Sequence, residues 1–196
     1  MTDMAPRPGT NAPHAIFGSS GGQILVGAAI VLAMAAILDL LGRPIACDCG
    51  TIRLWDGDPH SPGSSQQFAD WYSALHVVYG IGLFLALDRA RPHWPTSWLF
   101  LTALASSAAW EIMENTPWII ALFGGAVGAP DYHGDSVLNA VGDTVFVALG
   151  FFAARRLPLK GTIALVVLLE LAIALAIRDG FILGTLRLLG VSVPPV

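Results

Sequence analysis

The chain has 196 residues, of which 55% are hydrophobic and 12% are charged. That charged share is about half the share in an average soluble domain, and the mean hydropathy of +0.66 is high. A formal net charge of −4 leaves no basic surface to neutralise phosphates, so a nucleic-acid partner is excluded. A soluble or disordered chain is excluded as well, and the composition indicates an all-α, polytopic membrane helix bundle.

Five apolar stretches predict five transmembrane helices, because each is close to the ~20 residues that cross a hydrocarbon core. They cover residues 23–41, 70–87, 97–122, 135–154 and 161–177. A sixth stretch, 181–193, is shorter and rich in Gly and Pro, and it predicts an interfacial or re-entrant C-terminal segment. Residues 1–22 are predicted to form a disordered cytoplasmic tail. Residues 23–193 are predicted to form a single transmembrane domain.

The basic residues predict the orientation, because positively charged loops are retained in the cytoplasm. Six of the ten lie on one side of the predicted spans: Arg7, Arg89, Arg91, Arg155, Arg156 and Lys160. We therefore expect a bacterial inner-membrane protein with a cytoplasmic N-terminus, a periplasmic C-terminus and a periplasmic loop at 42–69.

That loop contains the thiol pair Cys47 and Cys49. Two cysteines at this spacing can form a strained disulfide, ligate a soft metal or pack without further chemistry. A single C-x-C motif lacks a second pair of ligands, so it is a weak indication of a metal site.

The strongest functional signal is the set of ionisable side chains inside the predicted spans, since buried charge in lipid is costly unless it is paired, hydrated or used. Helical spacing places members of each set on one face of their span. The three sets are Asp70, Ser73 and His76 in the second span, Glu111, Glu114 and Asn115 in the third, and Asp135, Asn139 and Asp143 in the fourth.

Depth brings the three sets to one level near the periplasmic surface. At about 1.5 Å per residue, Glu111 lies roughly 21 Å along the third span, while the second and fourth spans run inward from outside. The sequence predicts one pocket with three kinds of residue. The acid–base residues are His76, Glu111, Glu114 and Asp135; the substrate-binding residues are Asp70, Ser73, Asn115 and Asn139; the ligands of a divalent cation are Glu111, Asp135 and Asp143.

Six motifs carry a family resemblance. They are Cys47-x-Cys49-Gly50, Leu54-Trp55-x-Gly57, Ser65-Gln66, Asp70-Trp-Tyr-Ser-x-x-His76, Trp110-Glu-x-x-Glu-Asn115 and Gly134-Asp-Ser-x-x-Asn139. Over residues 43–158 the chain resembles a bacterial family of multi-pass inner-membrane proteins classed as a domain of unknown function. It is more distantly similar to the VanZ-like superfamily. The resemblance implies further histidines at two positions that hold Gln67 and Tyr79 here, which favours an oxygen-rich Mg²⁺, Mn²⁺ or Ca²⁺ site over a His-rich zinc site.

Three functions fit this pattern. The first is an enzyme that acts on a lipid or lipid-linked substrate from the periplasmic leaflet, with a divalent cation and a general base. The second is an ion- or proton-binding transport protein, and the third is a scaffold or assembly factor in which polar contacts only hold the bundle together. A transport path would continue to the cytoplasmic side, whereas the polar groups mostly stop in the outer half.

Overall fold

The computed structural model describes residues 19–125 and 132–191. Within these ranges it contains no strand and seven helices: α1 Ser20–Leu40, α2 Ser73–Ala90, α3 Thr96–Glu114, α4 Pro117–Gly124, α5 Val137–Arg156, α6 Leu159–Ile177 and α7 Phe181–Leu188. Four of them, α1, α2, α5 and α6, are long and apolar enough to cross a membrane. The protein is therefore an all-helical membrane protein, with four candidate spans in the described part of the chain.

The third predicted span is broken into two helices. We expected one continuous helix over 97–122, whereas α3 ends at Glu114 and α4 begins at Pro117. Thr116 between them is extended, with ψ at 149°, because a residue that precedes proline is disfavoured in the helical region. The prediction of one continuous helix here was wrong, since Pro117 was counted as part of an apolar run, and the five predicted spans are not confirmed.

The two ends of the chain lie partly outside the described residues. The predicted tail over 1–22 is described only from residue 19, and α1 starts at Ser20, where the Ser19 hydroxyl accepts a hydrogen bond from the Gly22 N–H at 3.1 Å. The predicted C-terminal segment over 181–193 is described to residue 191. It contains the eight-residue helix α7, which is too short to cross a membrane.

The centre of the bundle is a close contact between α2 and α5. A Cβ atom on Gly80 would collide with the Val147 carbonyl oxygen, and one on Gly150 would collide with the Val77 carbonyl oxygen. Small residues of this kind let two membrane helices approach backbone to backbone. The α2–α5 pair is therefore fixed in register by glycines on both helices.

Apolar side chains pack around this pair and separate the two ends of the bundle. Phe151 is fully buried, and its ring meets those of Phe84 and Phe100 at centroid distances of 5.1 and 5.5 Å. On the other side, Met34 and Leu38 of α1 pack against α3 and α5. Below the polar residues, the described part of the bundle is filled mainly by hydrocarbon.

Two hydrogen bonds show which segments of the chain lie at each end of the helix bundle. Arg155 Nε donates to Thr96 Oγ1 at 3.1 Å, which places the basic segments 89–91 and 155–160 at the same end. At the opposite end Arg43 Nε donates to the Asp135 carbonyl oxygen at 2.9 Å. The long loop over 42–69 covers this second end, where α2 and α5 both begin.

The glycine contact gives a direct test of the fold. We expect Gly80→Ala to destabilise the protein by about 1–3 kcal/mol, because the new methyl group would meet a backbone carbonyl that has no room to move. Gly82→Ala, on the same helix, is the matched control because a Cβ there meets no atom within 4 Å. Thermal unfolding in detergent measures both, and a Gly80→Ala protein as stable as Gly82→Ala would contradict the close packing.

Candidate intramembrane site

Three helices each contribute one ionisable side chain to a buried cluster around His76. Nδ1 of His76 lies 3.4 Å from Glu111 Oε1, and its Nε2 lies 3.6 Å from Asp143 Oδ2. Glu111 is 0% exposed and Asp143 3% exposed. The imidazole of α2 is thus held between a carboxyl group of α3 and one of α5.

Part of this cluster has no hydrogen-bond partner. His76 Nδ1 and both carboxyl oxygens of Glu111 are buried without one among the described residues, whereas nearly all buried polar atoms in proteins have one. Glu114 approaches the same point, and one ligand atom from each of His76, Glu111 and Glu114 lies within 4.8 Å of the others. This grouping differs from the cation ligands predicted from the sequence, of which only Glu111 belongs to it.

Asp143 and Asp70 are held through Ser73. The Ser73 hydroxyl donates to Asp143 Oδ1 at 2.8 Å and accepts from the Asp70 backbone N–H at 3.1 Å. The Asp70 carboxylate accepts the backbone N–H groups of Ser65 and Tyr72 at 2.7 and 2.8 Å. Burial raises the pKa of Asp70, and these backbone hydrogen bonds oppose the rise. Asp70 and Ser73 therefore hold the start of α2 and fix Asp143.

A second cluster joins Asn115, at the break after α3, to Asp135, which precedes α5. Asn115 Nδ2 donates to Asp135 Oδ2 at 2.7 Å, and its Oδ1 accepts the Asp135 backbone N–H at 2.7 Å. The Tyr132 hydroxyl also donates to Asp135 Oδ2, at 2.9 Å. Burial raises the pKa of Asp135 to about 6, against the effect of these two side-chain hydrogen bonds. Burial and the Asp135 charge raise the pKa of Tyr132, so its phenol stays a donor.

The predicted helix face of Asp135, Asn139 and Asp143 was wrong for Asp135, which precedes the helix, whereas Asn139 and Asp143 lie one turn apart within it. The helix begins only at Val137, and the Ser136 hydroxyl caps it by accepting the Asn139 N–H at 3.0 Å. Asn139 Nδ2 donates to the Gln67 carbonyl oxygen at 2.8 Å. The three side chains therefore have different partners: Asp135 contacts Asn115, Asn139 contacts the loop, and Asp143 contacts Ser73 and His76.

A cavity of about 450 Å³ adjoins the clusters. This volume lies within the range of small-molecule sites. Five of the residues proposed from the sequence line it: His76, Glu114, Asp135, Asn139 and Asp143. Asp70, Ser73, Glu111 and Asn115 are buried but are not among the residues that line it. Much of the remaining wall is apolar or aromatic, including Leu75, Tyr79, Trp110, Phe123 and Leu188.

The C-terminal helix α7 forms one wall of the cavity, a role the sequence reasoning missed. The Glu170 carboxylate accepts the N–H groups of Phe181 and Ile182 at 3.2 and 2.8 Å, which binds the start of α7 back against α6. Arg187 NH1 pairs with Asp179 Oδ2 at 2.9 Å. A lone arginine in a short apolar segment was the available signal, because such a residue is rarely buried without a partner.

The thiol pair forms a disulfide between Cys47 and Cys49. Gln67, in the same loop, donates from Nε2 to the Thr51 carbonyl oxygen at 3.1 Å and contacts Cys49 Sγ at 3.5 Å. Of the three uses that the sequence left open, the structure contains the disulfide. It lies in the loop that covers the site and does not line the cavity.

Comparison with known proteins assigns the family. The family model described as "Protein of unknown function (DUF2585)" matches residues 38–193, so the chain belongs to this family. It is 43% identical to a UPF0314 protein of Sphingopyxis alaskensis, over 84% of this chain and 87% of that protein. A UPF0314 protein of Rhizobium meliloti is 42% identical, over 81% of each chain. These relatives are bacterial, and the apolar helices indicate a membrane protein. No solved structure matches the chain.

The contact between Asn115 and Asp135 can be tested by exchanging its partners. Asn115→Asp should destabilise the protein by about 1–3 kcal/mol, because it replaces the buried amide donor with a second acceptor that faces a carboxylate. Adding Asp135→Asn restores one amide and one carboxylate and should recover most of that loss. Thermal unfolding of the single and double variants measures the effect, and a double variant less stable than Asn115→Asp would contradict the contact.

Proposed function

We propose that this DUF2585 protein is an inner-membrane enzyme that binds a divalent cation and carries out acid–base chemistry on a lipid or lipid-linked substrate. One observation carries the proposal. A buried histidine and two glutamates converge beside a cavity, and three of their polar atoms have no hydrogen-bond partner among the described residues. The proposal includes a distant resemblance to VanZ-like membrane proteins.

The spacing of the cluster suits a cation. Two ligands that each lie about 2.1 Å from one ion are roughly 3.0–3.4 Å apart in octahedral or tetrahedral geometry. The distance from His76 Nδ1 to Glu111 Oε1 is 3.4 Å. Glu114, which is half-buried at the cavity wall, supplies the third ligand. One imidazole and two carboxylates favour Mn²⁺ or a similar ion.

Asp143 then has a different role from the ligand role first expected of it. A histidine that binds a metal through one nitrogen usually donates its other N–H to a carboxylate, which fixes the ring. Asp143 faces the Nε2 side of His76 at 3.6 Å and is itself fixed by Ser73. We assign Asp143 to orienting His76.

The remaining residues divide between substrate binding and support. A cation held by His76, Glu111 and Glu114 would supply an activated water and would polarise a substrate oxygen. Glu114 lies at the cavity wall, where the carboxylate oxygen that does not bind the cation can accept a proton. Asp135 and Asn139 also line the cavity and bind the polar part of the substrate. Asn115 and Asp70 support these groups from behind the wall.

The orientation forms part of the proposal. The basic segments at one end of the bundle support a cytoplasmic location for that end, so the cavity and the C-terminus face the periplasm. In intact cells, a membrane-impermeant thiol reagent should label Ile52→Cys, which lies in the exposed part of the covering loop, and spare His93→Cys. Labelling with the opposite pattern would invert the orientation.

Cation transport is the second candidate, because polar pairs extend below the cluster. The hydroxyls of Tyr79 and Ser106 lie 2.8 Å apart, and Ser107 donates to Thr144 at 3.3 Å. Beyond these pairs, Phe84, Phe100 and Phe151 occupy the bundle. The aromatic plug favours a site that opens to one side only.

Binding of Mn²⁺ to the purified protein tests the proposal. In electron paramagnetic resonance titrations we expect one bound Mn²⁺ per wild-type chain. Glu111→Gln and His76→Gln should weaken the affinity at least tenfold, because an amide is a poor ligand and the imidazole is lost. Asp88→Asn, an exposed carboxylate far along α2, is the control and should bind Mn²⁺ like the wild type.

Function in cells separates the enzyme from the scaffold. Both variants should keep their thermal transition in detergent yet fail to complement a phenotype of the deletion strain. Full complementation by Glu111→Gln and His76→Gln would favour a structural role, and absence of Mn²⁺ binding by the wild type would overturn the cation site.

A further inference from the structure

We infer that the cavity binds an amphiphile that carries a phosphate group. Arg187 of α7 binds this phosphate on the side of the cavity opposite the proposed cation site. This inference rests on the proposed cation site and adds the class of substrate. It is carried by a buried arginine on the cavity wall, by how that arginine is held, and by the apolar surface beside it.

Arg187 is 4% exposed and lines the cavity. Its NH1 pairs with Asp179 Oδ2 at 2.9 Å, and its NH2 donates to the Arg178 carbonyl oxygen at 2.7 Å. Its Nε is buried without a hydrogen-bond partner among the described residues. The guanidinium group therefore has donor capacity left over, and a planar fork of donors matches the oxygens of a phosphate.

The position of Arg187 does not depend only on its ion pair with Asp179. Glu170 caps α7 against α6, which sets the position of the whole helix. Asp179 has other partners, since it accepts the Tyr72 hydroxyl at 3.2 Å and the Gly180 N–H at 2.9 Å. Asp179 would remain hydrogen-bonded when Arg187 turned NH1 towards a phosphate.

The charges around the cavity explain why the phosphate and the cation belong together. Glu114, Asp135 and Asp143 line the same cavity, and ionised carboxylates would repel an anion that entered alone. A divalent cation bound at His76 neutralises the charges of its two glutamate ligands, Glu111 and Glu114, and Arg187 supplies positive charge on the wall formed by α7. A phosphate between the cation and Arg187 is contacted by a positively charged group on each side.

The apolar part of the wall favours a phosphate that carries a hydrocarbon chain over inorganic phosphate. Leu75, Tyr79, Trp110, Phe123 and Leu188 line the same cavity as the charged groups. Burying a chain against such a surface contributes binding free energy in proportion to the apolar area covered. The cavity thus has a polar end for a headgroup and an apolar surface for a chain.

Four probes distinguish the sources of binding, measured by calorimetry on the full chain in a non-ionic detergent with Mn²⁺. They are decyl phosphate, decanol, decylamine and inorganic phosphate. We expect decyl phosphate to bind at least tenfold more tightly than each of the other three. Equal binding of decyl phosphate and decanol, or stronger binding of decylamine, would overturn the inference. Equal binding of inorganic phosphate would overturn the amphiphile part of it.

Two variants separate recognition of phosphate from a merely structural ion pair. Arg187→Gln should weaken decyl phosphate binding at least tenfold and leave Mn²⁺ binding unchanged. Asp179→Asn removes the same ion pair but keeps the guanidinium, so its affinity for decyl phosphate should equal or exceed that of the wild type. If both variants lose binding equally, the pair is structural and the inference fails. Arg89→Gln, an exposed arginine at the other end of α2, is the charge control.

The outcomes also separate this inference from the proposed function. If the wild type binds no Mn²⁺, the proposed function fails and the inference fails with it. If the wild type binds Mn²⁺ but shows no preference for decyl phosphate, only the inference fails. If Arg187→Gln does not fold, the Asp179→Asn result decides, because that variant retains the group that is proposed to bind.

Discussion

The close approach of α2 and α5 is the constraint on which the site depends. Gly80 and Gly150 let the two backbones touch, and one turn away from Gly80 the same packing places His76 beside Asp143. A larger side chain at either glycine would separate the helices and move the imidazole away from the carboxyl group. The geometry of the site is therefore set by Gly80 and Gly150, which have no reactive side chain.

Among the described residues, most buried polar groups of the bundle have hydrogen-bond partners and a small set does not. Asp135 is bound by Asn115 and Tyr132, and Asp143 is bound by Ser73. In an apolar environment such pairing offsets the cost of burying polar atoms. Glu111 and His76 Nδ1 are not paired in this way, and they adjoin the cavity that is bordered by α7. The contrast between paired and unpaired groups is what distinguishes a candidate binding site from polar contacts that only join helices.

Much of the architecture was predictable, whereas the partners of individual side chains were not. Apolar runs and helical spacing predicted an all-helical membrane protein and singled out His76, Glu111 and Asp143. Spacing along one helix could not show that Asp135 precedes α5 or that Pro117 breaks the third span, because both depend on where a helix starts and stops. Helical spacing also could not reveal the partners of Arg187 and Glu170, which lie eight to twelve residues away across a tight turn.

Anomalous X-ray diffraction from crystals grown with Mn²⁺ tests the central claim most directly, since it locates the ion independently of any activity. The account predicts one strong anomalous peak bounded by His76 Nδ1, Glu111 and Glu114, with the imidazole Nε2 directed at Asp143. It also predicts that the peak is absent in Glu111→Gln. A structure in which Glu111 and His76 instead bind each other or a water molecule, with no ion after soaking in Mn²⁺, would contradict it.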